Sequence, residues 1–204
     1  MSFALTRLRA NDRNFASMLE ALSADENAVL LPAKRWGAFS GLFGLASNEL
    51  FLLSVGEDLD LNARLLELDP VADAETLLLE ATVRPTSSSP SPLSRKGLYV
   101  FRFFEIAHED VSEIAALSKE AWETFEATND YSAEPQGLFC QADRSSERGW
   151  MLLLTWYDGI DSWLTSRKPH PKARDIFMRR HAMTDGTVAY ATRLLTDGPR
   201  RRRG

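Results

Sequence analysis

The side chains that could do chemistry in this sequence are arginines, histidines and aromatic residues of its second half. Arg102 stands within a run of large apolar residues, where a guanidinium is costly to bury without an anionic partner. Its fork of donors could hold a carboxylate or enolate oxygen of a ligand. Two other interpretations need no ligand: a structural ion pair with Glu126 or another acid, or a position at a sheet edge that is open to water.

A second group of candidates follows later in the chain. Arg167 stands just before a Pro-His-Pro segment centred on His170. Prolines on both sides fix the backbone, which would suit His170 as a general base near neutral pH, although an exposed loop histidine between two helices has the same pattern. His181 follows Arg180, whose positive charge disfavours protonation of the imidazole. It could equally be a helix-end residue that interacts with the helix dipole.

Aromatic residues could form the wall of a pocket for a planar ligand. Trp122 and Phe125 share one face of a predicted helix, and Trp156 lies on a predicted strand beside Tyr157, a further titratable candidate. Trp163 on the next helix could act as a lid. Large aromatic side chains at such positions also pack in cores, because each buries a large apolar area.

Several kinds of chemistry are not indicated. The sequence has no Gly-x-Ser-x-Gly elbow and no Gly-rich phosphate loop. Cys140 is the only cysteine and lies in a predicted strand without an evident histidine partner. With a single cysteine and three scattered histidines, no metal site is predicted. We expect no cofactor.

Composition limits the partners and the location. The net charge is −5, so nucleic-acid binding is not favoured, although four consecutive arginines at 200–203 could bind nucleic acid or an anionic surface. A solvated tail explains those arginines more simply. No apolar run approaches the ~18 residues of a membrane helix, and the N-terminus lacks the plan of a secretory signal. We expect a cytoplasmic protein, and one cysteine suits a reducing compartment.

The apolar pattern of the first half, residues 1–84, predicts the order β-α-β-β-α-β. The predicted elements are a strand at 3–9, a helix from Asn11 or Asp12 to about 23, a hairpin of 34–45 and 50–55, a helix at 61–68 and a strand at 76–84.

A linker follows at 85–96, because its Pro/Ser-rich start (PTSSSPSP) removes backbone donors and supplies no core residues. The second unit, 97–196, repeats the order of the first, and 197–204 is an Arg-rich tail. The predicted elements are a strand at 98–106, a helix at 109–127, a hairpin of 137–142 and 150–157, a helix begun by Asp158 or Asp161, a helix at 172–183 after two prolines, and a strand at 187–195.

The two halves indicate an internal duplication. Matching segments occur in the same order in both: Gly-Leu-Phe at 41–43 and 137–139, Leu-Leu-Ser at 52–54 and Leu-Leu-Thr at 153–155, and Ala-Thr at 81–82 and 191–192. A β-α-β-β-α-β unit is the ferredoxin-like plan, and each sheet needs a cover on its second face. The predicted fold class is α+β, with two tandem ferredoxin-like units forming an intrachain dimeric α+β barrel.

The second half resembles the NIPSNAP-like branch of the dimeric α+β barrel superfamily over about residues 97–195. The resemblance rests on Tyr99-Val100-Phe101-Arg102, Gly137-Leu138-Phe139, Leu154-Thr155-Trp156-Tyr157, Trp163, Ser166-Arg167, Phe177 and Arg179-Arg180. The first half shares only the topology and is interpreted as a degenerate copy.

The resemblance implies a fold more than a reaction, since NIPSNAP-like proteins have no generally agreed activity. The superfamily includes cofactor-free monooxygenases, haem-degrading monooxygenases, isomerases and haem-containing chlorite dismutases, and fold does not choose among them. The Asn that haem-degrading relatives carry on the first strand is absent, which leaves His181 as the one candidate haem ligand.

Our leading hypothesis is a small-molecule binding protein. Its ligand would be apolar or aromatic, in a pocket between sheet and helices of the second half that Arg102, Trp156 and Arg167 gate. The alternatives are a cofactor-independent monooxygenase or isomerase, in which a histidine or tyrosine takes a proton from the substrate, and a structural or interaction protein without a ligand pocket. Assembly into a homo-oligomer is left open.

Overall fold

The structure of the chain is a computed structural model that describes residues 2–24, 30, 33–87, 89–168 and 170–196. Its first six elements are β1 Ser2–Ala10, α1 Ala16–Ala24, β2 Lys34–Phe43, β3 Glu49–Gly56, α2 Asn62–Leu66 and β4 Val71–Arg84. The others are β5 Leu98–Ala107, α3 Val111–Glu126, β6 Ala133–Gln141, β7 Arg148–Tyr157, α4 Ile160–Ser166, α5 Pro171–His181 and β8 Thr184–Leu194, with a 3-10 turn at His108–Asp110 before α3. The Arg-rich tail lies outside the described residues.

The chain divides into two compact units. The first contains residues 1–79, 89–96 and 192–204, and the second contains residues 80–88 and 97–191. The Pro/Ser-rich segment is therefore divided, with its first residues in the second unit and its last residues in the first.

The first unit has the strand order β4-β1-β3-β2 of a ferredoxin-like sheet. β1 pairs antiparallel with β3 from Ser2↔Gly56 to Arg9↔Glu49, and the hydroxyls of Thr6 and Thr76 lie 2.7 Å apart where β1 meets β4. Apolar residues of α1, α2 and the strands form its core, among them Leu8, Met18, Leu22, Leu50, Leu52, Leu61 and Leu65.

The second unit repeats this order as β8-β5-β7-β6. β5 and β7 pair antiparallel along their full length, from Leu98↔Tyr157 to Ala107↔Arg148. The long helix α3 buries one face, and each large side chain on it contributes about 1.5–3 kcal/mol of apolar burial. That face includes Trp122 and Phe125, which were predicted to share it, and comprises Val111, Ile114, Ala115, Leu117, Ser118, Ala121, Trp122 and Phe125.

The predicted α+β class with two tandem ferredoxin-like units is confirmed, and the differences concern where elements begin. β4 starts at Val71 rather than at residue 76, and near this start Asp73 Oδ2 lies 3.4 Å from Arg9 Nη2 of the neighbouring β1. β6 starts at Ala133 rather than at residue 137, since Ala133 to Pro135 pair with the end of β7. No helix within the described ranges is long and apolar enough to cross a membrane.

Candidate functional site

The floor of the site is one face of two paired strands in the second unit. Alternation along a strand sends every second side chain to the same face. Val100 and Arg102 on β5 therefore lie on the same side of the sheet as Leu153, Thr155 and Tyr157 on β7, and all five line one cavity. Arg102 is opposite Leu153 in the register of the two strands.

One wall is aromatic and comes from α3 and α5. Trp122 and Phe125, three residues apart on α3, are both buried and both line the cavity. Phe177 on α5 meets Phe125 edge to face, with ring centroids 6.0 Å apart. Aromatic pairs in this arrangement stabilise packing beyond the apolar area that they bury. The cavity thus has a rigid apolar side that suits a flat ligand.

The other large group of lining side chains is basic. α4 ends at Ser166, which lines the cavity with the following Arg167. Arg174, Arg180 and His181 reach it from α5, where spacings of three and four residues put side chains on one face. α5 begins at a proline, whose fixed backbone angle suits the first helical turn.

The cavity has a volume of about 360 Å³. Among the described residues that line it, four are arginines and one is a histidine, while none is Asp or Glu. Cations confined in partly buried space repel one another, and water screens them less there than at an open surface. The site therefore attracts anions.

Arg102 is half-buried and has no carboxylate partner within the described residues. Burial is the main cause that lowers the pKa of the Arg102 guanidinium, and the nearby charge of Arg167 lowers it further. Tyr157 has a smaller effect that raises this pKa. The predicted alternative of a structural pair with Glu126 does not occur. Glu126 instead accepts two hydrogen bonds, of 2.6 and 2.9 Å, from the guanidinium of Arg84.

Arg180 is in the same situation on α5. It is half-buried, its guanidinium donates to Ser118 Oγ at 3.3 Å, and it lies over the rings of Phe177 and Phe104, 5.0 and 5.7 Å from their centroids. Burial, followed by the charge of Arg102, lowers its pKa to about 10. No carboxylate of the described chain pairs with it.

The remaining basic residues are exposed at the rim. Arg167 has no carboxylate partner in the part of the chain that the structure describes. Arg174 is paired with the neighbouring Asp175, Nε to Oδ1 at 3.6 Å. His181 Nδ1 lies 3.4 Å from the Thr184 hydroxyl. The site thus has a half-buried pair of arginines and an exposed basic rim.

Tyr157 is the titratable acid of the floor. Its side chain is buried, and burial raises the pKa of the phenol. The side chain of Ser166 and the charges of Arg102 and Arg167 act in the opposite direction but do not reverse the shift. At neutral pH the phenol is therefore protonated and can donate a hydrogen bond into the cavity.

Three of the sequence-predicted residues are not among those that line the cavity. Trp156 lies on the other face of β7 and is buried there. Trp163 packs beside Leu98, Val100, Phe125 and Tyr157, and its buried Nε1 has no hydrogen-bond partner. The aromatic wall expected from Trp122, Phe125 and Trp156 therefore has Phe177 in place of Trp156.

His170 is the third. It is exposed and caps α5, where its Nδ1 accepts a hydrogen bond of 3.3 Å from the backbone N–H of Lys172. The Pro169 that precedes it lies outside the described residues. A histidine that caps a helix in this way has a sufficient structural role, and it does not line the cavity.

Arg174 and Arg180 line the cavity but were not among the predicted site residues. A signal was present, because Arg174, Phe177 and Arg180 are three residues apart while Ala173 and Ile176 are buried on the adjoining face. That spacing places two arginines and a phenylalanine along one strip of the helix surface. Which structure this strip meets depends on tertiary packing.

Comparison with known proteins identifies the fold. No protein-family model and no curated protein matches the sequence. The chain is similar to the solved structure of an anthrone oxidase-like protein, with 11% identity, a TM-score of 0.58, and coverage of 95% of this chain and 91% of that one. It is also similar to a ferredoxin-fold protein from Listeria monocytogenes related to antibiotic biosynthesis monooxygenases, with 12% identity, a TM-score of 0.54, and coverage of 96% of this chain and 95% of that one. A variant of chlorite dismutase from Candidatus Nitrospira defluvii is also similar (6%, 0.57, 95% and 91%).

The chain has the ferredoxin-like α+β fold of these proteins. At such low identity the likeness concerns the fold alone.

Some proteins of this fold hold haem, but the residues of this cavity do not fit one. A haem iron needs an axial ligand that faces the pocket, most often a histidine and sometimes a tyrosinate. His181 is the one imidazole among the described lining residues, and it is exposed at the rim. The raised pKa of Tyr157 disfavours the tyrosinate. No cluster of His, Cys, Asp or Glu that could bind a metal ion occurs among the described residues.

Proposed function

We propose that the second unit binds a small organic anion with an apolar or aromatic body. The observation that carries the proposal is the set of three arginines at one cavity, Arg102, Arg167 and Arg180, without carboxylate partners in the described chain. Holding half-buried guanidinium groups near one another is unfavourable unless an anion joins them. An anion from outside would relieve that repulsion and would accept hydrogen bonds from the arginine forks.

The rest of the cavity supports an apolar or aromatic body for that anion. Trp122, Phe125 and Phe177 give one side a stack of rings. The volume of about 360 Å³ falls in the range of ligand pockets, roughly 300–1,000 Å³. A purely structural protein would be expected to fill such a space with side chains, so the ligand hypothesis is favoured over that alternative.

We also propose that the NIPSNAP-like resemblance of the second half concerns this cavity. Eight of the residues on which the resemblance rests line it, and they are Val100, Arg102, Thr155, Tyr157, Ser166, Arg167, Phe177 and Arg180. Trp156 and Trp163 would then belong to the packing that holds those residues in place.

Equilibrium binding tests the proposal. Calorimetry with 1-naphthoate and with its neutral methyl ester compares the same aromatic body with and without the charge. We expect the carboxylate to bind about tenfold or more tightly, the factor that one charge-assisted hydrogen bond supplies. Arg102→Met should remove this preference, while Arg179→Met, a matched change of an exposed arginine that does not line the cavity, should retain it. Equal affinity for the two compounds, or no binding of either, would refute the proposal.

A second candidate function is a cofactor-independent monooxygenase or isomerase. It is favoured by the phenol of Tyr157, which lines the cavity together with Arg102 and Arg167 and on whose pKa both of their charges act. Arginines there could stabilise an enolate or phenolate oxygen, and the raised pKa suits Tyr157 to donate a proton rather than to take one. The names of two similar structures, an anthrone oxidase-like protein and a relative of antibiotic biosynthesis monooxygenases, make oxidation of an aromatic enol the first reaction to test.

The enzyme hypothesis has its own experiment. Oxygen consumption with anthrone, and exchange of the anthrone methylene protons for deuterium in D₂O, report oxidation and enolisation separately. We expect at least one rate to exceed the buffer rate and to fall in Tyr157→Phe. If both rates equal those in buffer, the enzyme hypothesis is rejected while ligand binding stands.

A further inference from the structure

The arginines of the cavity are arranged in two levels. Arg102 on the floor strand β5 and Arg180 on helix α5 form a half-buried inner pair that lines the cavity, and the charge of Arg102 disfavours the charged form of Arg180. Arg167, at the end of α4, is exposed at the rim and also acts on Arg102. Arg102 is therefore flanked by two cations that come from different helices.

We infer that the ligand is a doubly charged aromatic anion, with one negative charge held by Arg102 and Arg180 and the second held at the rim by Arg167. The inference rests on the proposed function, since it specifies the charge of the same ligand. Two chemical classes share this property: aromatic dicarboxylates, in which the charges lie on separate groups, and aryl phosphate esters, in which one group carries both.

Charge balance supports a dianion over a monoanion. Arg102, Arg167 and Arg180 bring three positive charges, and the described lining supplies no negative one. One carboxylate between Arg102 and Arg180 would leave Arg167 at the rim without an anionic partner. A second charge would complete the set, because Arg167 acts on both Arg102 and Tyr157 and so faces the same space.

The hydroxyl groups of the floor fit the same ligand. The charges of Arg102 and Arg167 both act on the pKa of the Tyr157 phenol, and Thr155 and Ser166 line the same cavity. The hydroxyls of Tyr157 and Thr155 can donate to the oxygens of an anion that the guanidinium forks do not saturate, whereas Ser166 already donates to the Trp163 carbonyl at 2.8 Å. An anion with at least four oxygens, as in a dicarboxylate, or with a phosphate ester group uses more of these donors than a monocarboxylate does.

The test compares benzoate, isophthalate and phenyl phosphate by calorimetry on the full chain at pH 7.5. We expect at least one dianion to bind about tenfold or more tightly than benzoate. The preferred dianion identifies its class. Arg167→Gln should reduce the dianion affinity to about that of benzoate and change benzoate affinity little. Lys168→Gln, a matched removal of an exposed positive charge that does not line the cavity, should retain the preference.

The outcomes separate this inference from the proposed function. If benzoate binds as tightly as both dianions, the dianion inference is wrong and the anion site stands. If Arg167→Gln weakens benzoate and the dianion by the same factor, the second charge is not held at the rim, and the inference is again overturned. If none of the three compounds binds, and 1-naphthoate does not bind either, the proposed function itself fails.

Discussion

Replacing Arg180 by methionine should make the protein more stable and its cavity less able to bind an anion. The change removes a half-buried positive charge that no described carboxylate neutralises, and it keeps a long apolar side chain against Phe104 and Phe177. Methionine adapts its shape to irregular gaps and packs well against aromatic rings. Residues placed for binding rather than for packing commonly lower the stability of the fold.

The expected size follows from the electrostatics of the site. Burial and Arg102 lower the pKa of Arg180 to about 10, and each pH unit of difference from the ordinary value corresponds to about 1.4 kcal/mol. The unfavourable free energy of the charge is therefore at most about 3 kcal/mol, less the part that solvent screens, since the residue is only half-buried. The substitution also loses the ring stacking and the hydrogen bond to Ser118, about 1 kcal/mol in all. We expect a net stabilisation of about 1–2 kcal/mol.

This effect should not vary with pH near neutrality, because the guanidinium is protonated in the folded and in the unfolded chain. The folded-state pKa is the lower of the two, so the unfolded chain binds more protons only above pH 10 or so. The unfavourable contribution of the charge would be relieved there, as the folded protein loses the proton.

Urea denaturation followed by tryptophan fluorescence measures the change, and a melting curve should shift upward by roughly 3–6 °C. The control is Arg179→Met. Arg179 is exposed, and its ion pair with the exposed Glu113 is long at 4.0 Å, so its loss should alter the free energy of unfolding by less than about 0.5 kcal/mol. A saturating aromatic carboxylate should raise the midpoint of the wild type more than that of Arg180→Met. If Arg180→Met is less stable than the wild type, stacking outweighs charge repulsion, and the reasoning about an anion site loses its main support.

Two further substitutions test how the second unit holds the site. Gly97→Ala should destabilise the protein by about 2 kcal/mol or more. Gly97 has φ +149°, and a Cβ there would overlap the Tyr157 carbonyl and the Trp156 ring. The control is Gly159→Ala, which has no atom within 4 Å of the added carbon and should leave the free energy of unfolding nearly unchanged in the same denaturation assay. Glu126→Gln should lower the free energy of unfolding by about 1–2 kcal/mol, since it breaks the two-bond ion pair with Arg84, whose guanidinium lies over the Trp122 ring. The control is Glu123→Gln at an exposed position of the same helix, which should change the free energy of unfolding little. If either Gly97→Ala or Glu126→Gln left the free energy of unfolding unchanged, that result would contradict the geometry from which its value was derived.

Much of the fold could be predicted because its elements carry strong local patterns. The apolar stripe of α3 recurs at three- and four-residue spacing, and the structure buries that same stripe. β6 was predicted four residues too short because Glu134 and Gln136 interrupt its apolar pattern. Glu134 belongs to the strand through backbone pairing with Trp156 of β7, which does not depend on side-chain type, and Gln136 is the extra residue of a bulge between Pro135 and Gly137.

The site was predicted in part for the same reason. Alternation along β5 placed Arg102 on the face of Val100, and the structure has both at the cavity. Applied to β7, the same rule separates Trp156 from Tyr157, so the two could not both have faced one pocket. Arg180 could not be placed from sequence, since its role depends on the side of α5 that packs over the floor, and long-range packing decides that.

The carboxylates of the second unit form ion pairs away from the cavity, and none of the described residues that line the cavity is Asp or Glu. Among the described residues, five ion pairs of this unit use its carboxylates away from the cavity, and they are Arg84–Glu126, Arg144–Glu80, Arg148–Glu105, Arg148–Asp185 and Arg179–Glu113. Three of the arginines in those pairs are exposed, so water would solvate them without a partner, whereas Arg84 is half-buried. Arg102 and Arg180 are also half-buried, and among the described residues they have no carboxylate partner. A chain selected for stability alone would pair all of its half-buried arginines before its exposed ones. An arrangement that leaves these two without a carboxylate is what a binding site for an external anion requires.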